Sequence, residues 1–160
     1  MAGIFRANEL VAMAVEIEKR GESFYRDMSR RVTKPVVKEA LEFLAEEEAK
    51  HEARFSELKS RLDPMELPTG SAESEYWAYV NDLIGSHFLF LDSISQKLIS
   101  TLSTDKEIVH LAMSFEKESI LFFMEMRGLI PHSEHPVVDA CIEEERSHLR
   151  KLSLLLRETG

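Results

Sequence analysis

Cysteine is nearly absent from this 160-residue sequence, Cys141 being its single example. No intrachain disulfide can form, and the paired-thiol spacing of zinc knuckles and redox motifs is missing. Only six glycines and five prolines are present, and they cluster, so long segments run without a breaker. No stretch reaches the roughly 18 consecutive apolar residues of a membrane span. The opening MAGIFRANEL lacks the apolar run and cleavage pattern of a secretory signal, and a cytoplasmic protein is expected. Basic residues are in deficit. The net charge of −9 repels phosphates, which argues against nucleic acid or an anionic membrane surface as partner.

A hydrophobic share of 44% beside 31% charged residues suits one soluble domain, large enough to build a core without staples. Apolar residues recur at steps of three and four through nearly every long segment, and strand-like alternation does not appear. A first helix is expected from Asn8, as N-cap, to about Arg30. Thr33 followed by Pro35 marks the start of a second, which runs to about Arg61. LDPMELPTGSAES is the clearest loop, and EYWAYVNDLIGSHFLFLD reads as an aromatic helix with a weak point at Gly85. Thr104 and Glu107 have capping-box spacing and open a helix that ends near Arg127, with Gly128 as its C′ residue. A last helix carries Pro136 in its first turn. Five helices give an all-α bundle: a hairpin over 8–62, a loop and crossover over 63–103, and a hairpin over 104–158.

The register of the second helix contains an anomaly. Val37, Leu41, Leu44, Glu48, His51, Phe55, Leu58 and Leu62 follow one core seam, so Glu48 and His51 point inward where Leu or Phe is called for. Glu46, Glu47 and Glu52 fall off the seam and read as solvated. The last helix repeats the pattern with Val138, Cys141, Glu145, His148, Leu152 and Leu155, and EEEAKH and EEERSH lie 97 positions apart. The first and fourth helices match as well. Ala14, Glu18, Gly21, Tyr25 and Met28 correspond to Ala112, Glu116, Ser119, Phe123 and Met126, each seam carrying one inward glutamate and a small residue one turn later that leaves room beside the carboxylate. The chain is two helical hairpins of one design.

Four carboxylates and two imidazoles facing one another need neutralising, since each unpaired buried charge costs several kcal/mol. No Lys or Arg lies on these seams. Two divalent cations would balance four carboxylates, and the imidazoles would add neutral nitrogen donors. Glu18, Glu48, His51, Glu116, Glu145 and His148 are therefore candidate metal ligands. Two lone glutamates plus two E-x-x-H pairs form the donor set of di-iron and di-manganese carboxylate bundles. Oxygen and nitrogen donors without thiolate suit Fe(II) or Mn(II), with zinc as a further occupant.

At these residues the sequence resembles the rubrerythrin-like branch of the ferritin-like superfamily. The matching elements are E-x6-Y from Glu18 to Tyr25, E-x-x-H at Glu48 and His51, E-x6-F from Glu116 to Phe123, and E-x-x-H at Glu145 and His148. The resemblance covers nearly the whole chain. It implies a ferritin-like four-helix bundle with the apolar segment as crossover, and a non-haem centre of two iron ions. Glu48 and Glu145 would bridge, and Glu18, His51, Glu116 and His148 would be terminal ligands. It further implies reaction with hydrogen peroxide or dioxygen, and favours a homodimer. A rubredoxin centre needs four cysteines, so electrons would come from a separate rubredoxin-like donor protein. Rubrerythrins also use an extra carboxylate beside the second lone glutamate, where this sequence has Met113 and Ser119 around Glu116.

Three function classes follow. One is a peroxidase or oxidase in oxidative-stress defence, another an iron-handling protein that oxidises Fe(II), and the third a non-catalytic helical interaction module. Tyr25 is the candidate catalytic residue: it is a hydrogen-bond partner of a ligand carboxylate, an electron donor to an over-oxidised centre, or simply a core tyrosine. The aromatic crossover (Tyr76, Trp77, Tyr79, Phe88, Phe90) covers either a dimer interface or the bundle's own edge. His87 reads as a core or interface histidine, although it can approach the metals. His110 is off its seam, His132 and His135 read as solvated, and Cys141 reads as a small inert core residue.

Overall fold

The computed structural model describes residues 7–62, 71–87 and 92–159, with the backbone alone for 71–74, 77 and 92–95. Its α-helices are α1 (Ala7–Ser29), α2 (Pro35–Arg61), α3 (Ser71–Ser86), α4 (Asp92–Thr101), α5 (Asp105–Arg127) and α6 (His135–Thr159), with a 3-10 turn at His132–Glu134. The fold is a ferritin-like four-helix bundle. α1 packs along α2 and α5 along α6, the two hairpins meet through α1 against α5 and α2 against α6, and α3 touches α5. Among the described residues no helix is long and apolar enough to cross a membrane.

The seams read from the sequence are the buried faces. Ala14, Glu18, Gly21, Tyr25 and Met28 are buried on α1, as are their counterparts Ala112, Glu116, Ser119, Phe123 and Met126 on α5. The same holds for the seam residues of α2 and α6, with Leu62 buried just beyond the end of α2. On the outer faces, pairs such as Arg20–Glu16 and Arg61–Glu57 join successive turns.

Three boundary expectations are corrected, while α2 starts at Pro35 as expected. The crossover is two helices rather than one, since α3 stops at Ser86, directly after Gly85, and α4 begins at Asp92. Among the described residues nothing packs where a Cβ on Gly85 would lie, and a glycine costs about 1 kcal/mol in a helix. Asn8 is inside α1 rather than its cap. Gly128 ends α5 with right-handed backbone angles (φ −66°, ψ −14°), so the left-handed freedom that favours glycine after a helix is unused. The start of α2 has no cap from its own neighbours. Asp105, from the first turn of α5, accepts hydrogen bonds from Thr33 N at 2.9 Å and Lys34 N at 2.8 Å.

The Thr104–Glu107 capping box is present as expected. Arg31, in the α1–α2 turn, donates to the carbonyls of Ile99 and Leu102 at 2.7 and 2.8 Å, which ties the end of α4 to the first hairpin. On α3, Tyr76 donates to Glu125 of α5 at 2.7 Å while Tyr79 stays exposed. The loop over 63–70, the Trp77 side chain, Phe88 and Phe90 lie outside what is described.

Candidate metal centre

Glu18, Glu48, His51, Glu116, Glu145 and His148 come from four different helices and meet at mid-bundle, all essentially inaccessible to solvent. Donor atoms of Glu18, Glu48, His51 and Glu145 lie within 4.8 Å of one another, as do those of Glu48, Glu116, Glu145 and His148. Glu48 and Glu145 belong to both groups. Both histidines turn Nδ1 inward, His51 to Glu145 Oε1 at 2.8 Å and His148 to Glu145 Oε2 at 3.0 Å. Their rings stack with centroids 5.6 Å apart.

The electrostatics are those of a cluster short of positive charge. Burial raises the carboxyl groups of Glu18, Glu48 and Glu116 well above their ordinary range, and the Glu145 charge adds to each shift. Burial acts the same way on Glu145, but hydrogen bonds from His148 and His51 reverse it and hold that carboxyl below the usual range. Burial works against charge on His51, yet its hydrogen bond with Glu145 and the nearby carboxylates push it up to about 10.

The donors fit a divalent pair. Both oxygens of Glu18, both of Glu48 and Oε2 of Glu116 are buried with no hydrogen-bond partner among the described residues. Native interiors rarely leave buried carboxylate oxygens so. Four carboxylates and two imidazole nitrogens suit Fe(II) or Mn(II), and the buried Cys141 belongs to neither group.

A model of the rubrerythrin family matches residues 9–156. The chain belongs to the rubrerythrin family. A Thermotoga maritima protein described as ferritin-like and diiron-carboxylate is 23% identical, with a TM-score of 0.70 over 98% of this chain and 97% of that one. A hypothetical protein from Pyrococcus furiosus is 19% identical, with a TM-score of 0.64 over 96% of this chain and 89% of its own. At these identities the likeness shows the fold. No curated protein matches the chain.

Around this rubrerythrin-type cluster, Tyr25 donates its hydroxyl to Glu116 Oε1, across the bundle from its own helix. Burial and the facing carboxylates raise the phenol well above its usual value, which keeps it a donor. Phe123, its counterpart, packs on Phe55 at 4.9 Å between centroids. Beside Glu116, Ser119 is buried and Met113 half-buried, and neither supplies a carboxylate. His87 is buried against Phe115, with Nε2 3.4 Å from the Ser119 hydroxyl, and burial lowers its pKa to about 4. His110 and His132 are exposed, whereas His135 is half-buried, its Nε2 3.2 Å from the Ile130 carbonyl. Burial pushes the Cys141 thiol up, as suits an inert core residue.

Two residues that bear on the centre were not singled out by the seam. Glu144 Oε2 lies 2.6 Å from His51 Nε2 and accepts from Arg54 at 2.8 Å. Glu144 stands beside Glu145 in the EEERSH repeat but one step off the inward stripe, so periodicity classes it as solvated.

Proposed function

We propose that this chain is a di-iron carboxylate redox protein that reacts with hydrogen peroxide or dioxygen in oxidative-stress defence in the cytoplasm. The observation that carries the reading is the pair of buried donor groups overlapping at Glu48 and Glu145, with carboxylate oxygens that have no hydrogen-bond partner among the described residues. Glu48 and Glu145 would bridge, Glu18 and His51 would hold one ion, and Glu116 and His148 the other. Manganese or zinc fits the same donors. The chemistry such an iron pair supplies when bound is two-electron exchange between di-ferrous and di-ferric states.

The protein's own residues prepare that chemistry. Tyr25 orients Glu116 by donating a hydrogen bond, and the buried Phe115 ring packs edge-on against Tyr25. Reduction of peroxide to two waters consumes two electrons and two protons. A chain with one cysteine has no rubredoxin centre of its own, so a separate rubredoxin-like donor protein supplies the electrons, to a homodimer in the favoured arrangement. Oxidation of Fe(II) as substrate is the second reading. It is favoured by Ser119 and Met113 in place of a further carboxylate beside Glu116.

Anaerobic titration of metal-free protein with Fe(II) tests the centre. Two tight equivalents per chain, lost in Glu48→Ala and Glu145→Ala, are expected; no tight binding would leave a helical interaction module. Peroxide consumption with a reductant, compared with Fe(II) consumption without one, then separates peroxidase from iron oxidase.

A further inference from the structure

We propose that Glu144 positions His51 and makes the His51 half of the centre the tighter of the two metal positions. The inference rests on the dinuclear reading above and concerns how the duplicated halves differ. His51 is held at both ends: Nε2 meets Glu144 Oε2 at 2.6 Å, and Nδ1 faces Glu145 Oε1 at 2.8 Å and Glu18 Oε2 at 3.7 Å. Arg54 donates to the same Glu144 oxygen at 2.8 Å and fixes the carboxylate in turn. A carboxylate that accepts the outer N–H of an imidazole sets its tautomer, prevents a ring flip and makes the inner nitrogen a stronger donor.

The other half lacks this support, for reasons visible in the repeat. Glu47 is the counterpart of Glu144, but Lys50, three residues on, takes it at 2.5 Å. The residue matching Lys50 is Ser147, which makes no ion pair and leaves Glu144 to cross to α2. Lys151, the counterpart of Arg54, sits 3.6 Å over the Phe43 ring instead. Phe43 lies edge-on to His148, with centroids 6.4 Å apart, and its own counterpart is the small Ala140. Beside Ala140 a groove of about 330 Å³ opens, with Arg54 and Glu144 in its wall. His51 is thus backed by a polar, solvent-reaching carboxylate, and His148 by an aromatic edge. Among the described residues no carboxylate bonds the Nε2 of His148.

Calorimetric Fe(II) titration under anaerobic conditions, on wild type, Glu144→Gln and Glu144→Ala, tests the assignment. Two unequal equivalents are expected in wild type. Glu144→Ala weakens the tighter by about 10- to 100-fold and leaves the looser one unchanged. Glu144→Gln, which keeps an acceptor, falls between, and His51→Ala abolishes the tighter step. Nitrogen-15 spectra of zinc-loaded protein give a readout that mere packing would not move: a slowly exchanging His51 Nε2–H, present in wild type and lost in Glu144→Ala. Two equal steps in wild type, a tighter step indifferent to Glu144→Ala, or weakening of the looser step alone overturns the role of Glu144 while leaving a dinuclear site. Absence of any Fe(II) binding in wild type overturns both.

Discussion

A methyl group on Gly21 would lie 2.6 Å from Glu48 Oε2 and 2.7 Å from Phe115 Cζ. The small residue after Glu18 therefore makes room for the carboxylate of the neighbouring helix rather than for its own. Gly21→Ala gains up to about 1 kcal/mol in helix propensity but overfills a packed interior, at a cost of about 1–3 kcal/mol. We expect a lower melting temperature and, because Glu48 must shift, weaker metal binding. A melt with and without Mn(II) reads both, and a variant as stable and as responsive to metal as wild type would refute the close-approach argument. Glu48→Gln isolates the carboxylate at almost constant volume. Removing the buried acid should raise the melting temperature of metal-free protein near pH 8 and lower that of metal-loaded protein, in which binding free energy is folding free energy. A fall in both forms would point to a purely structural Glu48.

Helices exhibit both what local text reveals and what it hides. The four long seams are legible because a period near 3.6 persists for six or seven turns and the polar exceptions recur in register. The Thr104–Glu107 box is legible because both partners lie within one turn. Asp105 is not, since the amides that it caps are 71 and 72 residues away and become neighbours only when the hairpins pack. Glu144 is hidden similarly: its role depends on which side chain the facing helix presents, and on Ser147 in place of a lysine. Gly85 marks a weak point in the sequence, but apolar residues continue past it, so periodicity alone does not reveal the break. The Asp105 cap makes a prediction at this scale. Asp105→Ala leaves two backbone N–H groups without their acceptor at the start of α2 and should cost about 1–2 kcal/mol. Urea unfolding checks it: the midpoint should fall with an unchanged slope. Loss of metal binding together with an unchanged midpoint would run against a capping role.

For the molecule as a whole, the cluster couples stability to pH with opposite signs in the two metal states. In metal-free protein Glu18, Glu48 and Glu116 hold protons to higher pH than the unfolded chain, whose carboxyls titrate near pH 4. The unfolded state then binds fewer protons, so stability falls as pH rises. His51 acts in the same direction. Its pKa of about 10 stabilises the fold fully below the unfolded value near 6.5, and that contribution is lost as pH climbs through 10. Glu145 acts oppositely, because its depressed pKa stabilises above the unfolded value, but that contribution is lost only in acid, outside this window. From about pH 5 to pH 9 the melting temperature of metal-free protein should therefore decline. Metal binding displaces these protons, so affinity and the stabilisation it brings grow with pH. Melts across that range in chelator and in excess Mn(II) should give curves that separate as pH rises. Repulsion within a chain of net charge −9 also grows with pH but is common to both, so it does not widen the gap. Glu18→Gln/Glu48→Gln should flatten the metal-free curve and close most of the separation. Parallel curves in wild type would mean that the inward carboxylates neither hold protons nor exchange them for metal.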